Sequence, residues 1–238
     1  MKLTWFKRSH EGTNVVQFNL TNLNGIKSLA DRVDELRRDP RVKKMVEDRV
    51  EEFRQVHDMD TYKWYEELVY CLLTAYGSAV MGQKCVDALC CDNILLEGSE
   101  DDIRICLVET GHRFPNKRSE YVYNTRHLAS SIKETIQGFK DSKEARAWLV
   151  ENVKGLGWKE SSHYLRNIGY FDLAIIDRHI LNNLREFKLL DEDGKKGLTK
   201  KRYLAIEEML DIVADELKME PGELDLYMWY RKTGKVLK

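Results

Sequence analysis

Apolar residues recur at i, i+3 and i+4 along nearly the whole chain, and strand-like patterning is confined to the first twenty residues. The spacing predicts an almost entirely helical protein. In the opening segment, LTWF and NVVQF flank the turn-like HEGT and predict a small hairpin or a loosely held arm over residues 1–24. A helix is expected from about Gly25 to Arg38. It stops at Asp39-Pro40, where Asp39 can cap a second helix running to about Val56 and Pro40 suits its first position. Thr61 opens YKWYEELVYCLLTAYG, dense enough in apolar and aromatic residues to be a buried central helix. Gly77 separates it from SAVMGQKCVDAL, and Ser99 with Asp102 reads as a capping box for DDIRICLVET.

Further along, RFPNKRSEYVYNTRHLASSIKETIQGF reads as one longer amphipathic helix starting near Pro115, and Asp141 with Glu144 as a capping box for KEARAWLVENV. After Asp177 the pattern predicts a helix to about Phe187 and the turn DEDGKKG. A helix opened by Thr199 follows, then a last one opened by Glu220-Pro221 that ends before Thr233-Gly234. There is no repeat, low-complexity segment or flexible linker, so two lobes would have to share helices. The expected division is about 61–176 in one lobe and about 25–60 with 177–238 in the other.

Composition narrows the class. A chain of 238 residues with 42% hydrophobic content can bury a sizeable core. No apolar run approaches the roughly 20 residues that span a bilayer. The start MKLTWFKRSHEG lacks the apolar stretch of a signal peptide, so an intracellular location and no membrane partner are expected. The cysteines, Cys71, Cys85, Cys90, Cys91 and Cys106, lie on apolar helical patterns and read as reduced core thiols rather than a disulfide framework or an iron–sulfur ligand set. Thirty-nine basic against forty acidic residues leave a net charge of −1, so any nucleic-acid surface must be local. Candidates are Arg113, Lys117, Arg118, Arg126 and His127, and the tail Arg231, Lys232, Lys235 and Lys238, though either set could equally be a solvated helix face.

The chemistry concentrates in KGLGWKESSHYLRNIGYFDLAIIDRHI, residues 154–180. Gly155 and Gly157 let the chain reverse tightly, since each can take positive φ, and the next helix then begins at Trp158 or Lys159 with its first amides unpaired. Such amides suit a DNA phosphate, which makes this a backbone-reading helix–hairpin–helix; an ordinary αα-hairpin is the bland alternative. Lys159 gains interest from Asp177, which follows a helix of about eleven residues and the loop DLAI that can bring the chain back. A partly buried neutral amine can attack a sugar carbon. A carboxylate nearby can take its proton and stabilise a positively charged, sugar-like transition state. Asp177 is equally placed to be a helix N-cap, and capping and catalysis are compatible.

GLGWK with the later aspartate of IIDRH resembles the helix–hairpin–helix Gly-Pro-Asp superfamily of DNA glycosylases. HRFPNKRSEYV, GLGWKESSHYLRNIGY with DLAIIDRHIL, and MWYRKTGKVLK resemble more narrowly the archaeal-type, or second, family of 8-oxoguanine DNA glycosylase/AP lyases. The likeness covers about residues 60–238 and leaves out the first 24. Proline is not retained in the hairpin, where Leu156 takes the usual aliphatic place.

The resemblance implies an all-α, two-lobed fold with a DNA cleft between the lobes, and a bifunctional repair enzyme. The damaged nucleotide is flipped out, Lys159 displaces the oxidised guanine at C1′, and the resulting Schiff base undergoes β-elimination. Asp177 would activate Lys159. Gly155 and Gly157 would bind the DNA backbone, with room for a monovalent cation, and His179 would lie near a phosphate. Trp229 and Lys238 would recognise the base, and Phe114 with Arg113 would act as wedge or opposite-strand contact; Gln83 and Ser78 are weaker pocket candidates. The resemblance calls for no redox cofactor and no catalytic metal. The expected partner is double-stranded DNA containing 8-oxoguanine, bound by a monomer in the cytoplasm, at the nucleoid, of a prokaryotic cell. Two other readings stay open: a glycosylase/lyase for oxidised pyrimidines like endonuclease III, and a non-catalytic DNA-binding module. The missing four-cysteine array counts against the former, and the lysine–aspartate pair against the latter.

Overall fold

Thirteen α-helices and one short 3-10 turn account for most of the residues described in the computed structural model, which are 3–9, 12–18, 20–75, 77–91, 93–190 and 197–238. Strands β1 (Leu3–Ser9) and β2 (Gly12–Phe18) pair antiparallel, from Leu3↔Phe18 to Ser9↔Gly12. Part of the expected HEGT turn and almost all of DEDGKKG lie outside the described residues. Among those described, no helix is long and apolar enough to cross a membrane.

The chain forms two compact units, Met1–Val46 with Ile176–Val236 and Glu47–Ile175 with Leu237–Lys238. Residues 47–60 and the final pair thus fall differently from the division suggested by the sequence.

In the first unit, α1 (Leu20–Arg38) packs on α12 (Lys200–Leu217) and α13 (Pro221–Thr233), and α13 also packs on α11 (Arg178–Glu186). Helix α1 begins about a turn before Gly25. A Cβ on that glycine would stand 2.4 Å from the Phe187 carbonyl oxygen, so Gly25 is a site of close approach rather than a start signal. Buried Asn183 ties α11 to α13: its Nδ2 donates to the carbonyls of His179 and Met228, while its Oδ1 accepts from Arg231. Arg231 and Lys232 both reach Glu186, whose carboxyl they hold down at about 2.

The second unit takes up the rest of α2 (Pro40–Asp58) and wraps around α3 (Thr61–Thr74), in which every residue from Trp64 to Thr74, apart from half-buried Glu66, is buried. Asp60 caps α3 by accepting from the Lys63 amide. The Trp64 indole donates to the Val56 carbonyl, 2.9 Å away. Helices α4 (Ala79–Cys91), α7 (Pro115–Thr125), α8 (Ile132–Gln137) and α10 (Trp158–Asn167) pack against α3; α5 (Ile94–Glu97), α6 (Glu100–Thr110) and α9 (Ser142–Asn152) complete the unit. Each fully buried Leu on α3 is worth about 1.5–3 kcal/mol of apolar transfer, which makes α3 the centre of the core.

Three local expectations need correction. The long helix from Pro115 is interrupted: α7 ends at Thr125, a 3-10 turn covers Arg126–Leu128, and α8 starts at Ile132. The Thr125 hydroxyl bonds back to the Val122 carbonyl, and the Arg126 guanidinium donates to the carbonyls of Ile94, Leu95 and Gly98. Those bonds bend the helix and hold Arg126 in a fixed place. The Asp141/Glu144 box is only half formed, because Asp141 accepts from the Glu144 amide while Glu144 reaches past it to the Lys140 amide. Cys71, Cys85 and Cys106 are buried thiols and Cys90 is half-buried, but Cys91 is exposed.

Candidate active site

Helix α9 runs into the hairpin through Val153, whose carbonyl accepts from the Leu156 amide at 3.1 Å. Leu156 is buried in the core and anchors the turn. Gly155 has φ +104, and a Cβ there would lie 2.5 Å from Cδ2 of Tyr121 and 3.0 Å from Cδ2 of Leu72. Conformation and space both demand glycine at this position. Gly157 differs from the expectation: it is the N-cap of α10 with φ −98 and ψ −172, ordinary extended backbone, and a Cβ would meet only the flexible end of Glu160, at 3.2 Å. What glycine does at 157 is leave the start of α10 without a side-chain cap. The first helical bond runs from the Ser161 amide to the Gly157 carbonyl, so the amides ahead of it point outward at the positive end of the helix dipole.

Lys159 stands in that first turn with its side chain 26% exposed, its ammonium 3.9 Å from Glu160. One turn on, His163 is buried edge-on to Tyr70. Burial, with the Arg166, Lys159 and Lys238 charges near, holds its imidazole well below the ordinary range. Trp158 lies under the buried Arg146 guanidinium, which donates to Ser162 and so seats α10 on α9.

Asp177 is the N-cap of α11. Its Oδ1 accepts from the amides of His179 and Ile180 at 2.7 and 2.8 Å, so capping occupies one carboxylate oxygen and leaves Oδ2 out of it. His179 meets Trp229 in a T-shaped contact, centroids 5.6 Å apart. Trp229 is half-buried rather than a core residue of the last helix.

The two residues assigned to the base belong to different units, Trp229 to the first and Lys238 to the second. Lys238 donates to Glu67 at 2.6 Å and lies 4.4 Å over the Tyr70 ring, whose hydroxyl donates to the Lys238 carbonyl oxygen at 2.8 Å. These groups border a cavity of about 640 Å³ lined by Phe53, Gln83 and Lys84 among others, a volume that suits a small ligand. Gln83 lies on its wall and bonds Asp87, whereas Ser78 accepts from the Met81 amide at the start of α4 and does not line it. The signal that could have revealed Glu67 in the sequence is a carboxylate on the buried face of an apolar helix.

Phe114 is 39% exposed and stacks with Arg113. Below it, buried His112 accepts from the Phe114 amide at Nδ1 and donates from Nε2 to the Leu73 carbonyl, a pairing that fixes the Nε2–H tautomer and braces the loop. Of the basic set, Arg113, Lys117 and His127 remain at the surface. Arg118 is buried and donates to the Ala75 carbonyl. Lys117 and Lys154 share Glu120, which they hold at about 2, beside the Tyr121 ring that flanks Gly155. Among the described residues no His, Cys, Asp and Glu cluster could hold a metal ion.

The family model described as Ogg-HhH, 8-oxoguanine DNA glycosylase, matches residues 46–219. The 8-oxoguanine DNA glycosylase/AP lyase of Korarchaeum cryptofilum is 44% identical over 199 residues, 83% of this chain and 92% of that protein. The protein of the same name from Methanocaldococcus jannaschii is 40% identical over 210 residues, 88% of this chain and 99% of that one. Among solved structures, the M. jannaschii 8-oxoguanine glycosylase/lyase in complex with a 15mer DNA containing 8-oxoguanine superposes with a TM-score of 0.83 at 38% identity, covering 89% of this chain and all of that one. The 8-oxoguanine DNA glycosylase of Thermotoga maritima gives 0.81 at 37% identity, covering 90% and all respectively.

Proposed function

The chain belongs to the 8-oxoguanine DNA glycosylase family, and from that membership we propose that Lys159 is the nucleophile and Asp177 its partner in excising the oxidised base. The protein is a DNA-repair enzyme, an 8-oxoguanine DNA glycosylase and AP lyase whose partner is double-stranded DNA carrying 8-oxoguanine. This decides among the three readings that the sequence left open.

The observation that carries the residue assignment is a half-buried lysine in the first turn of an uncapped helix, directly after a glycine hairpin. In the proposed reaction the Lys159 amine, once neutral, attacks C1′ of the flipped nucleotide, and the bond to the base breaks with its electron pair. Asp177 receives the proton from the amine and offsets the positive charge that develops on the sugar. The nitrogen lone pair then opens the C1′–O4′ ring bond to form the Schiff base, O4′ taking up a proton; loss of a 2′ proton follows, and the C3′–O3′ bond breaks in a β-elimination that releases the 3′ phosphate. The outward amides at Gly157 and the α10 start are proposed to hold a phosphate by charge-assisted hydrogen bonds. His179, beside Trp229, is proposed as a second backbone contact, and exposed Phe114 with Arg113 as the wedge. We further propose that the enzyme works in the cytoplasm of a prokaryotic cell, in keeping with its archaeal and Thermotoga relatives.

The test presents duplexes carrying 8-oxoguanine, thymine glycol or a ready-made abasic site, with borohydride to trap the Schiff base. A trapped adduct on the 8-oxoguanine duplex, absent in Lys159→Gln, is the expected outcome. An adduct that survives in Lys159→Gln would remove Lys159 from the reaction.

A further inference from the structure

A carboxylate buried in an apolar helix is costly unless its charge is paired, and Glu67 is 2% exposed in the middle of α3. Its two oxygens have separate duties. Oε1 accepts from Lys238 Nζ at 2.6 Å, and Oε2 accepts from Nδ2 of fully buried Asn167 at 3.1 Å. Asn167 is itself held through Oδ1 by Arg166, whose guanidinium stacks on Phe53 at 4.8 Å. One turn along α3, Tyr70 grips the same lysine twice: the ammonium lies 4.4 Å above its ring, and its hydroxyl donates to the Lys238 carbonyl oxygen. His163 braces the Tyr70 ring from the side. Beyond Gly234 the chain has no regular structure, so side-chain contacts decide where Lys238 sits.

We propose that Glu67 and Tyr70 are positioning residues that fix Lys238 at the wall of the 640 Å³ cavity and, through it, set selectivity for the oxidised base. The inference rests on the reading of Lys238 as a base-recognition residue. An apolar pair of the same volume would hold α3 at least as well, so what the buried pair adds is location. Recognition tolerates displacements of only about 0.5 Å in the groups that read a ligand. Both ends of the lysine are held, the ammonium by charge and the main chain by the phenol. Excision of a base depends on that position; cleavage at a site that has already lost its base does not.

The experiment measures single-turnover excision from an 8-oxoguanine duplex and cleavage of an abasic-site duplex for the parent, Glu67→Gln, Lys238→Met and the double variant. The expected result is that Glu67→Gln lowers the ratio of excision to abasic-site cleavage on the order of tenfold, yet changes it by no more than about twofold when Lys238 is already Met. Equal loss of both activities in Glu67→Gln would make Glu67 merely structural and overturn the proposal. Full additivity with Lys238→Met would overturn it too, while leaving the role of Lys238 intact. A parent-like ratio in Lys238→Met would instead defeat the reading of Lys238 on which the inference rests. Should Glu67→Gln not fold, Tyr70→Phe removes one hydroxyl and is expected to lower the ratio in the same direction by a smaller factor, again only when Lys238 is present; an unchanged ratio would count against the clamp.

Discussion

Helix α10 begins at Gly157 without a side-chain cap, whereas α11 begins with two amides bound by Asp177. Asp60, Ser99, Asp141 and Thr199 cap their helices as Asp177 does, while α5, α7, α8 and α13 start, like α10, without a side-chain cap; what sets α10 apart is that its N-cap is a glycine, which has no side chain to offer. The fold does not force the bareness, since Gly157 has a backbone conformation open to any residue. A helix start that carries no N-cap side chain leaves room for an anion, and a capped one does not. Asp177 closes its helix with one carboxylate oxygen and leaves the other outside the cap.

The largest effect expected from breaking this contrast falls on Asp177. Asp177→Asn keeps an oxygen for the two amides but lacks the negative charge, and should slow 8-oxoguanine excision roughly 10²-fold or more with little change in thermal midpoint. Asp177→Ala should slow it as much and, losing the cap, also cost about 1 kcal/mol in urea unfolding. A fast, stable Asn variant would reduce Asp177 to a cap. Next comes Gly155→Ala, which places a methyl against Tyr121 at positive φ and should cost roughly 1–3 kcal/mol, read from the denaturation midpoint. Stability at the parent level would mean that the hairpin relaxes freely. The smallest change to the fold is Gly157→Ser, which gives α10 the cap it lacks. Stability should rise by a few tenths of a kcal/mol while duplex affinity, followed by fluorescence anisotropy, falls. Unchanged affinity would show that these amides do not serve a phosphate.

Much of this was written in local sequence. Ser99 and Asp102 form the reciprocal box that their spacing announces, with bonds of 3.2 and 2.8 Å. Asp39-Pro40, Thr199 and Glu220-Pro221 also stand where helices start. The break after Thr125 was hidden because its cause is distant: Arg126 leaves helical periodicity intact while its guanidinium binds carbonyls about thirty residues away. At the site, the turn at Gly155 and the Asp177 cap were legible because the backbone conformation and the two capping bonds are local. The partners of Lys238 were not, since Glu67 is 171 residues away in sequence and reads in isolation as one more helical charge. The same limit applies to the basic stretch, where periodicity could not tell exposed Lys117 from Arg118, which is folded inward onto a carbonyl.

Helix α3 supplies the cavity with Glu67 and Tyr70 while Leu68, Leu72 and Leu73 form the middle of the core. Its backbone amides therefore exchange with solvent only when the unit unfolds as a whole, and protection there should match the global stability. A wall of that kind does not wait for DNA to give it shape. The energy that organises it is spent at folding, before any ligand arrives, so whatever enters the cavity meets a surface already set.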